Sequence, residues 1–230
     1  MNKNTLIYGA IAVVVVAGAS WSFGASWWSG LFGGSPLAGL AATTQSVEIK
    51  PTDMVHGKAD AKVTIIEYAS MTCPHCAAFQ KEVIPLLTKD YIDTGKVKLI
   101  FREYPLDGAA RLASAVARCF SGDQYFSFID LLFANQMNWI KDFDGNGQLT
   151  KEDIQHGLAD MGRQAGMPQE KVNSCGDDPM NLALVDANWQ EGMSRYGVDS
   201  TPTFIINGVK HSGEIPYDQL KMILDPLVAK

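Results

Sequence analysis

The sequence predicts an α/β fold with a block of helices inserted in its middle. Three observations carry that prediction. An apolar, strand-like run at residues 63–68 leads straight into a cysteine-bearing turn and a helical pattern. A string of helical segments then fills the centre of the chain, and a hairpin signature followed by a last helix closes it. Strand, helix, strand, helices, hairpin, helix is α/β with an inserted helical layer. At 230 residues, 47% apolar and 19% charged, the chain suits one domain of comfortable size plus an appendage. A net charge of −6, with no basic patch interleaved with aromatics, gives no case for nucleic acid as a partner.

The appendage comes first. Between Lys3 and Glu48 there is no charged residue, and residues 6–19 are almost continuously apolar. Ala17-Gly18-Ala19 is a cleavage-box candidate for a signal peptide. Extended through Trp21, Phe23, Trp27 and Trp28, the run reaches the roughly 20 residues needed to span a bilayer. The tryptophans suit an interfacial belt, and Lys3 favours a cytoplasmic start. Residues 1–29 are therefore read as an apolar helix anchoring the chain, with a cleaved signal as the alternative; both export the rest of the chain. Residues 30–46, rich in Gly, Ser, Ala and Thr, read as a tether, and the folded domain as 47–230.

The run at 63–68 contains one carboxylate, Glu67, shortly before Met71-Thr72-Cys73-Pro74-His75-Cys76. Strand, tight turn with Cys-x-x-Cys, then helix is the arrangement of a thioredoxin-type redox site. A cysteine at a helix N-terminus meets unpaired N–H groups and the positive end of the helix dipole, which favour a thiolate. Cys73 is the candidate nucleophile and Cys76, one turn in, the resolving thiol. Zinc would need further ligands, usually a second close pair, and none is present. A copper metallochaperone using the two thiols is the non-enzymatic alternative. Glu67, if buried, would have a raised pKa and could exchange protons with Cys76; otherwise it is a partly solvated strand-end group.

A second strand is expected over 96–104, ending at Pro105. Helical periodicity runs over 109–134 with a break at Ser121-Gly122-Asp123, then over 151–163. Pro168 starts another helix carrying Val172 and Cys175, and 182–196 is helical up to Gly197. Asn207-Gly208 between β-like runs is a strong hairpin signal, and 217–227 is the final helix.

Glu67, Cys73-Pro74-His75-Cys76, Phe101-Arg102-Glu103-Tyr104-Pro105-Leu106 and Asp199-Ser200-Thr201-Pro202-Thr203-Phe204 together resemble the DsbA-like thiol–disulfide oxidoreductases of bacterial envelopes, over about 47–230. The resemblance implies a thioredoxin fold with a helical insertion at about 107–196, between the second strand and the cis-proline strand. It implies oxidation of cysteines in reduced, unfolded exported proteins of the bacterial periplasm by a monomer. A membrane partner of the DsbB type would reoxidise it, and the redox chemistry requires no cofactor. Pro202 takes the family's cis-proline position, and the Thr201 backbone would pair with an extended substrate. His75 would give the Cys73 thiolate a hydrogen bond or charge, and the Cys73 pKa is expected at roughly 3.5 to 7. Thr201 also occurs in isomerase-like relatives, so isomerase or reductase is the alternative direction. Some relatives carry a second cysteine pair in the insertion, which implies a structural Cys119–Cys175 disulfide.

The resemblance leaves one motif unaccounted for. Residues 142–153 match the D-x-[DN]-x-[DN]-G start of an EF-hand loop. Asp142, Asp144 and Asn146 would offer side-chain oxygens, Gln148 its carbonyl and Asp153 the last carboxylate, to Ca²⁺ or Mg²⁺. Asp153 stands where a bidentate glutamate is usual, which weakens Ca²⁺. A turn followed by a Thr150-x-x-Asp153 helix cap is the alternative.

Overall fold

The computed structural model describes residues 46–229; the segment read above as anchor, 1–29, and all but the last residue of the tether at 30–46 lie outside the described residues. Among the described residues, no helix is long and apolar enough to cross a membrane. The chain runs β1 (Met54–His56), β2 (Val63–Ala69), α1 (Pro74–Glu82), α2 (Ile84–Leu87), a π-helical turn (Thr88–Ile92) and β3 (Val97–Glu103). The insertion comes next: α3 (Gly108–Ala117), α4 (Asp123–Ala134), α5 (Gln136–Trp139), α6 (Lys151–Gln164), α7 (Gln169–Gly176) and α8 (Pro179–Tyr196). β4 (Thr203–Ile206), β5 (Val209–Ser212) and α9 (Tyr217–Val228) complete the domain.

The strands form one sheet in the order β1-β3-β2-β4-β5. β2 and β3 are parallel, as a helical crossover between them requires, and the other pairs are antiparallel. β2 is buried along its whole length, which explains its near-continuous apolar sequence. Alternation splits it between two faces. Ile65 packs with Phe79, Leu99 and Leu220, under α1 and α9. Ile66 and Tyr68 pack with Ile100, Tyr104 and Tyr196 of α8. Ala69 and Phe101 meet the insertion helices through Leu112, Val116, Phe128 and Leu132. Asn207 and Gly208 both take positive φ, the I′ hairpin signature, and Asn207 Oδ1 accepts from the Thr64 N–H at 2.9 Å.

Two of these elements lie outside the sequence expectation. β1 is three residues long, too short to show a period, and is held by antiparallel pairing with Leu99–Phe101. α5 is a four-residue helix whose Trp139 is fully buried. Gly157 lets α6 approach it, since a Cβ there would lie 2.3 Å from the Trp139 carbonyl oxygen.

β3 ends in two buried charges that bolt the insertion to the sheet. Arg102, fully buried, donates from Nε and Nη2 to the Asp53 carboxylate at 2.9 and 2.7 Å, and from Nη1 to Glu191 of α8 at 2.9 Å. Glu103 accepts from Arg118 at 2.7 Å, Tyr125 at 2.9 Å and Asn188 at 2.7 Å. Every partner comes from outside β3, so removing one member would strand a buried charge.

Cys119, just beyond α3, is joined by a disulfide to Cys175 of α7, with a Cα–Cα distance of 6.0 Å and a sequence separation of 56. A loop of that length is worth about 4 kcal/mol in the chain-entropy treatment. A Cys119→Ala/Cys175→Ala variant is therefore expected to melt about 10 °C lower than the parent by calorimetry. An unchanged melting temperature would show the link to be energetically idle.

Candidate functional site

The turn Met71–Cys76 lies at the C-terminal end of β2, where a parallel sheet presents its ligands and reacting groups. Cys73 is the N-cap of α1, and Pro74 occupies the first helical position, where its missing N–H costs nothing. Side chains from the insertion fix the turn. Gln136 Nε2 donates to the Met71 and Cys73 carbonyls at 2.8 and 3.0 Å. Thr72 Oγ1 donates to Asp107 Oδ2 at 2.8 Å, while Asp107 Oδ1 caps α3 through the Ala110 N–H. Gln136 escapes sequence reasoning because nothing about a lone glutamine on a four-residue helix announces two distant carbonyls.

The two thiols have opposite surroundings. Neither is in a disulfide, Cys73 is 5% exposed and Cys76 fully buried. Cys73 is drawn down to about 5, first by the Cys76 thiol, which donates to it. Thr201 adds to this, along with the backbone N–H groups of Cys76 and His75. Burial opposes the shift and loses. Cys76 is driven far above its ordinary value, chiefly by burial and then by its hydrogen bond to Cys73. These surroundings favour the thiolate at Cys73 and the protonated form at Cys76.

Thr201–Pro202 is a cis peptide bond. The Thr201 carbonyl oxygen lies 3.4 Å from Cys73 Sγ, and Gly213 donates to the Pro202 carbonyl at 2.9 Å. Glu67 is fully buried beneath the pair, and neither carboxylate oxygen has a hydrogen-bond partner. Burial, then the charges of Asp130 and Cys73, push its pKa up to about 8. Of the two sequence readings, a buried carboxyl rather than a partly solvated strand-end group is what the structure has.

His75 stands differently from the sequence expectation. Its side chain is 71% exposed, and Nδ1 faces Glu214 Oε2 at 3.3 Å rather than the Cys73 sulfur. The groups that hold the thiolate low include the His75 backbone N–H but not its ring.

Beside Thr72 and Pro74 opens a cavity of about 1010 Å³, walled by Leu112, Met137, Ile140, Leu149 and Ile154, with Arg111 and Lys151 in its lining. The loop at 142–153 lies in the insertion. One carboxylate oxygen from each of Asp142, Asp144 and Asp153 falls within 4.8 Å of the others. Asp142 accepts from the Gly145 and Gly147 N–H groups, and Asn146 Oδ1 from Gln148 N–H. Asp153 also completes a capping box with Thr150 and accepts from the Phe143 N–H, so the helix cap and the loop share one carboxylate.

A thioredoxin family model matches residues 49–226. The chain belongs to the thioredoxin family. Its solved neighbours place it among the DsbA-like proteins: α-DsbA1 of Wolbachia pipientis superposes with a TM-score of 0.70 at 27% identity, covering 79% of this chain and 93% of that one. A Rickettsia bellii protein named as a protein-disulfide oxidoreductase is 32% identical over 166 residues, 71% of this chain. Disulfide bond formation protein D of Bacillus subtilis is 25% identical over 175 residues, 74% of this chain and 75% of that protein. This DsbA-like chain spans about 60% of the length of the curated Rickettsia relative it matches.

Proposed function

We propose that the protein is a thiol–disulfide oxidoreductase that introduces disulfides into exported proteins. The observation that carries this reading is the asymmetry of the pair: a Cys73 held at about 5 beside a Cys76 held far above its ordinary value. A low nucleophile pKa stabilises the reduced form and makes the disulfide a stronger oxidant. In the oxidised protein Cys73 and Cys76 form the disulfide. A substrate thiolate attacks Cys73 Sγ; the Cys73–Cys76 bond breaks, and Cys76 leaves as a thiolate that takes a proton from the Glu67 carboxyl. A second substrate thiolate then attacks the substrate sulfur of the mixed disulfide and releases the Cys73 thiolate. The substrate loses two electrons and two protons, and the protein disulfide gains two electrons.

Thr201 and Pro202 serve as the docking edge for an extended substrate, and the cavity beside Thr72 receives its apolar side chains. Residues 1–29 tether the domain, through 30–46, to the inner membrane on the periplasmic side, with a cleaved signal as the alternative. The protein works as a monomer, and a DsbB-type membrane protein reoxidises it. A reduced, unfolded substrate separates the directions of traffic. Stoichiometric oxidation by the purified protein is expected; rescue of scrambled disulfides alone would assign it as an isomerase.

The loop carrying Asp142, Asp144, Asn146, Gln148 and Asp153 is assigned to Ca²⁺ or Mg²⁺, as a support for the insertion. Three converging carboxylates favour that role. With a dissociation constant of about 1 mM, 10 mM CaCl₂ would stabilise the domain by about 1.4 kcal/mol. Calorimetry should register heat of binding and a melting temperature raised by a few degrees. Absence of both removes the assignment and leaves the helix cap alone.

A further inference from the structure

The ring of His75 sits inside the redox motif yet is engaged elsewhere. Its partner Glu214 comes from the segment just after β5, and that segment is well fixed. Gly213 donates to the Pro202 carbonyl at 2.9 Å, and Ile215 is buried in the core with Leu220. Glu214 is thus carried by the strap that braces the cis-proline strand, and its side chain is 31% exposed against 71% for His75. A carboxylate accepts and does not donate, so Nδ1 carries the proton in this contact.

The other charged groups around the turn are committed to other partners. Asp107 caps α3 and accepts from Thr72. Asp199 faces Lys210 at 3.6 Å, Arg111 pairs with Asp186 and Lys151 with Asp177. Glu67 has no hydrogen-bond partner but is fully buried, out of reach from the solvent side. Among the described residues, this leaves His75 and Glu214 as a pair placed to act on the Cys73 sulfur from the solvent side.

We infer that Glu214 is a positioning residue for the redox pair: it holds the His75 ring through Nδ1, keeps it off the Cys73 sulfur, and so restrains how strongly the protein oxidises. Two physical effects run in the same direction. The carboxylate offsets the positive charge of a protonated ring, and it competes with the sulfur for the ring's donor. Removing it frees the His75 ring, two residues along the chain from Cys73, to donate to the thiolate. The reduced form gains, and the disulfide becomes the stronger oxidant. This inference rests on the redox reading of Cys73 and Cys76.

The test is the glutathione redox equilibrium of the parent protein and of Glu214→Gln and Glu214→Ala. Each variant is expected to favour the reduced protein roughly three- to tenfold more than the parent does, in line with the modest strength of an exposed ion pair. Cys73 should titrate lower in both. In a His75→Ala background the same changes at residue 214 should do nothing, and ¹⁵N spectra of the parent should show the proton on His75 Nδ1. Unaltered equilibria in variants that still exchange with glutathione would overturn the role of Glu214 and leave the redox reading standing. An equal shift without His75 would overturn it too, since the charge would then act directly on sulfur. A parent protein that exchanges no disulfide with glutathione would remove the redox reading, and this inference with it.

Discussion

Replacing Cys73 by serine is expected to abolish disulfide transfer, by roughly a thousandfold or more, as removal of a covalent nucleophile does. Replacing Cys76 should instead trap mixed disulfides at Cys73. In the reduced parent protein, thiolate absorbance should disappear with a midpoint near 5, against an ordinary value of 9.0. The same number sets the pH dependence of the potential. Below about 5, reduction of the disulfide takes up two protons, and the potential falls by about 59 mV per pH unit. Above it Cys73 remains a thiolate while Cys76 keeps its proton, so one proton is taken up and the slope halves to about 30 mV. A slope that stays near 59 mV from pH 4 to 8 would show that Cys73 holds its proton, and the proposed oxidase chemistry would lose its basis.

Much of this was legible because local signals and tertiary demands coincide. β2 is buried on both faces and therefore reads as a continuous apolar run. The hairpin needs positive φ at Asn207 and Gly208, and those residues announce it. The cysteine turn is legible because its spacing is the chemistry. What was not legible depends on partners far away in sequence. The strand at Val97–Glu103 looks partly alternating because it carries Lys98, Arg102 and Glu103, yet it is buried throughout. Arg102 and Glu103 are tolerated because Asp53, Glu191, Arg118, Tyr125 and Asn188 converge on them. The helical pattern after the cysteine turn gives no sign of a break, but α1 ends at Glu82 and α2 starts at Ile84, with Pro85 unable to donate back along the helix. Gln136 and Glu214 reach the site from segments with no pattern of their own, so only the fold reveals them.

Glu67 supplies the second large effect, and its sign depends on the redox state. In the unfolded chain its carboxyl has an ordinary value of 4.5; in the folded protein burial raises it to about 8. Between those values the folded state binds a proton that the unfolded state does not, so stability is greatest below 4.5 and falls as pH rises through the window. At 1.36 kcal/mol per unit, the 3.5 units between 4.5 and 8 amount to at most about 5 kcal/mol, with any water reaching the carboxylate reducing it. Cys73 contributes the opposite slope, because its folded value lies below its ordinary one: its stabilisation is present above 9 and lost as pH falls to about 5. In the reduced protein the two slopes therefore oppose each other between about 5 and 8, and the denaturation midpoint should change little. In the oxidised protein Cys73 does not titrate, and the Glu67 slope stands alone, carried by burial and Asp130 without the Cys73 charge and so over a narrower window. Glu67→Gln should flatten the oxidised curve and leave the reduced protein gaining stability with pH. The same substitution removes the group that takes the Cys76 proton, so attack of Cys76 on a Cys73–glutathione mixed disulfide should slow by about a hundredfold. Denaturant titrations of both redox states across pH 4.5 to 8, with and without Glu67, carry the test. Superimposable oxidised curves and an unchanged rate of mixed-disulfide collapse would mean that the buried carboxyl neither titrates in this range nor handles the proton.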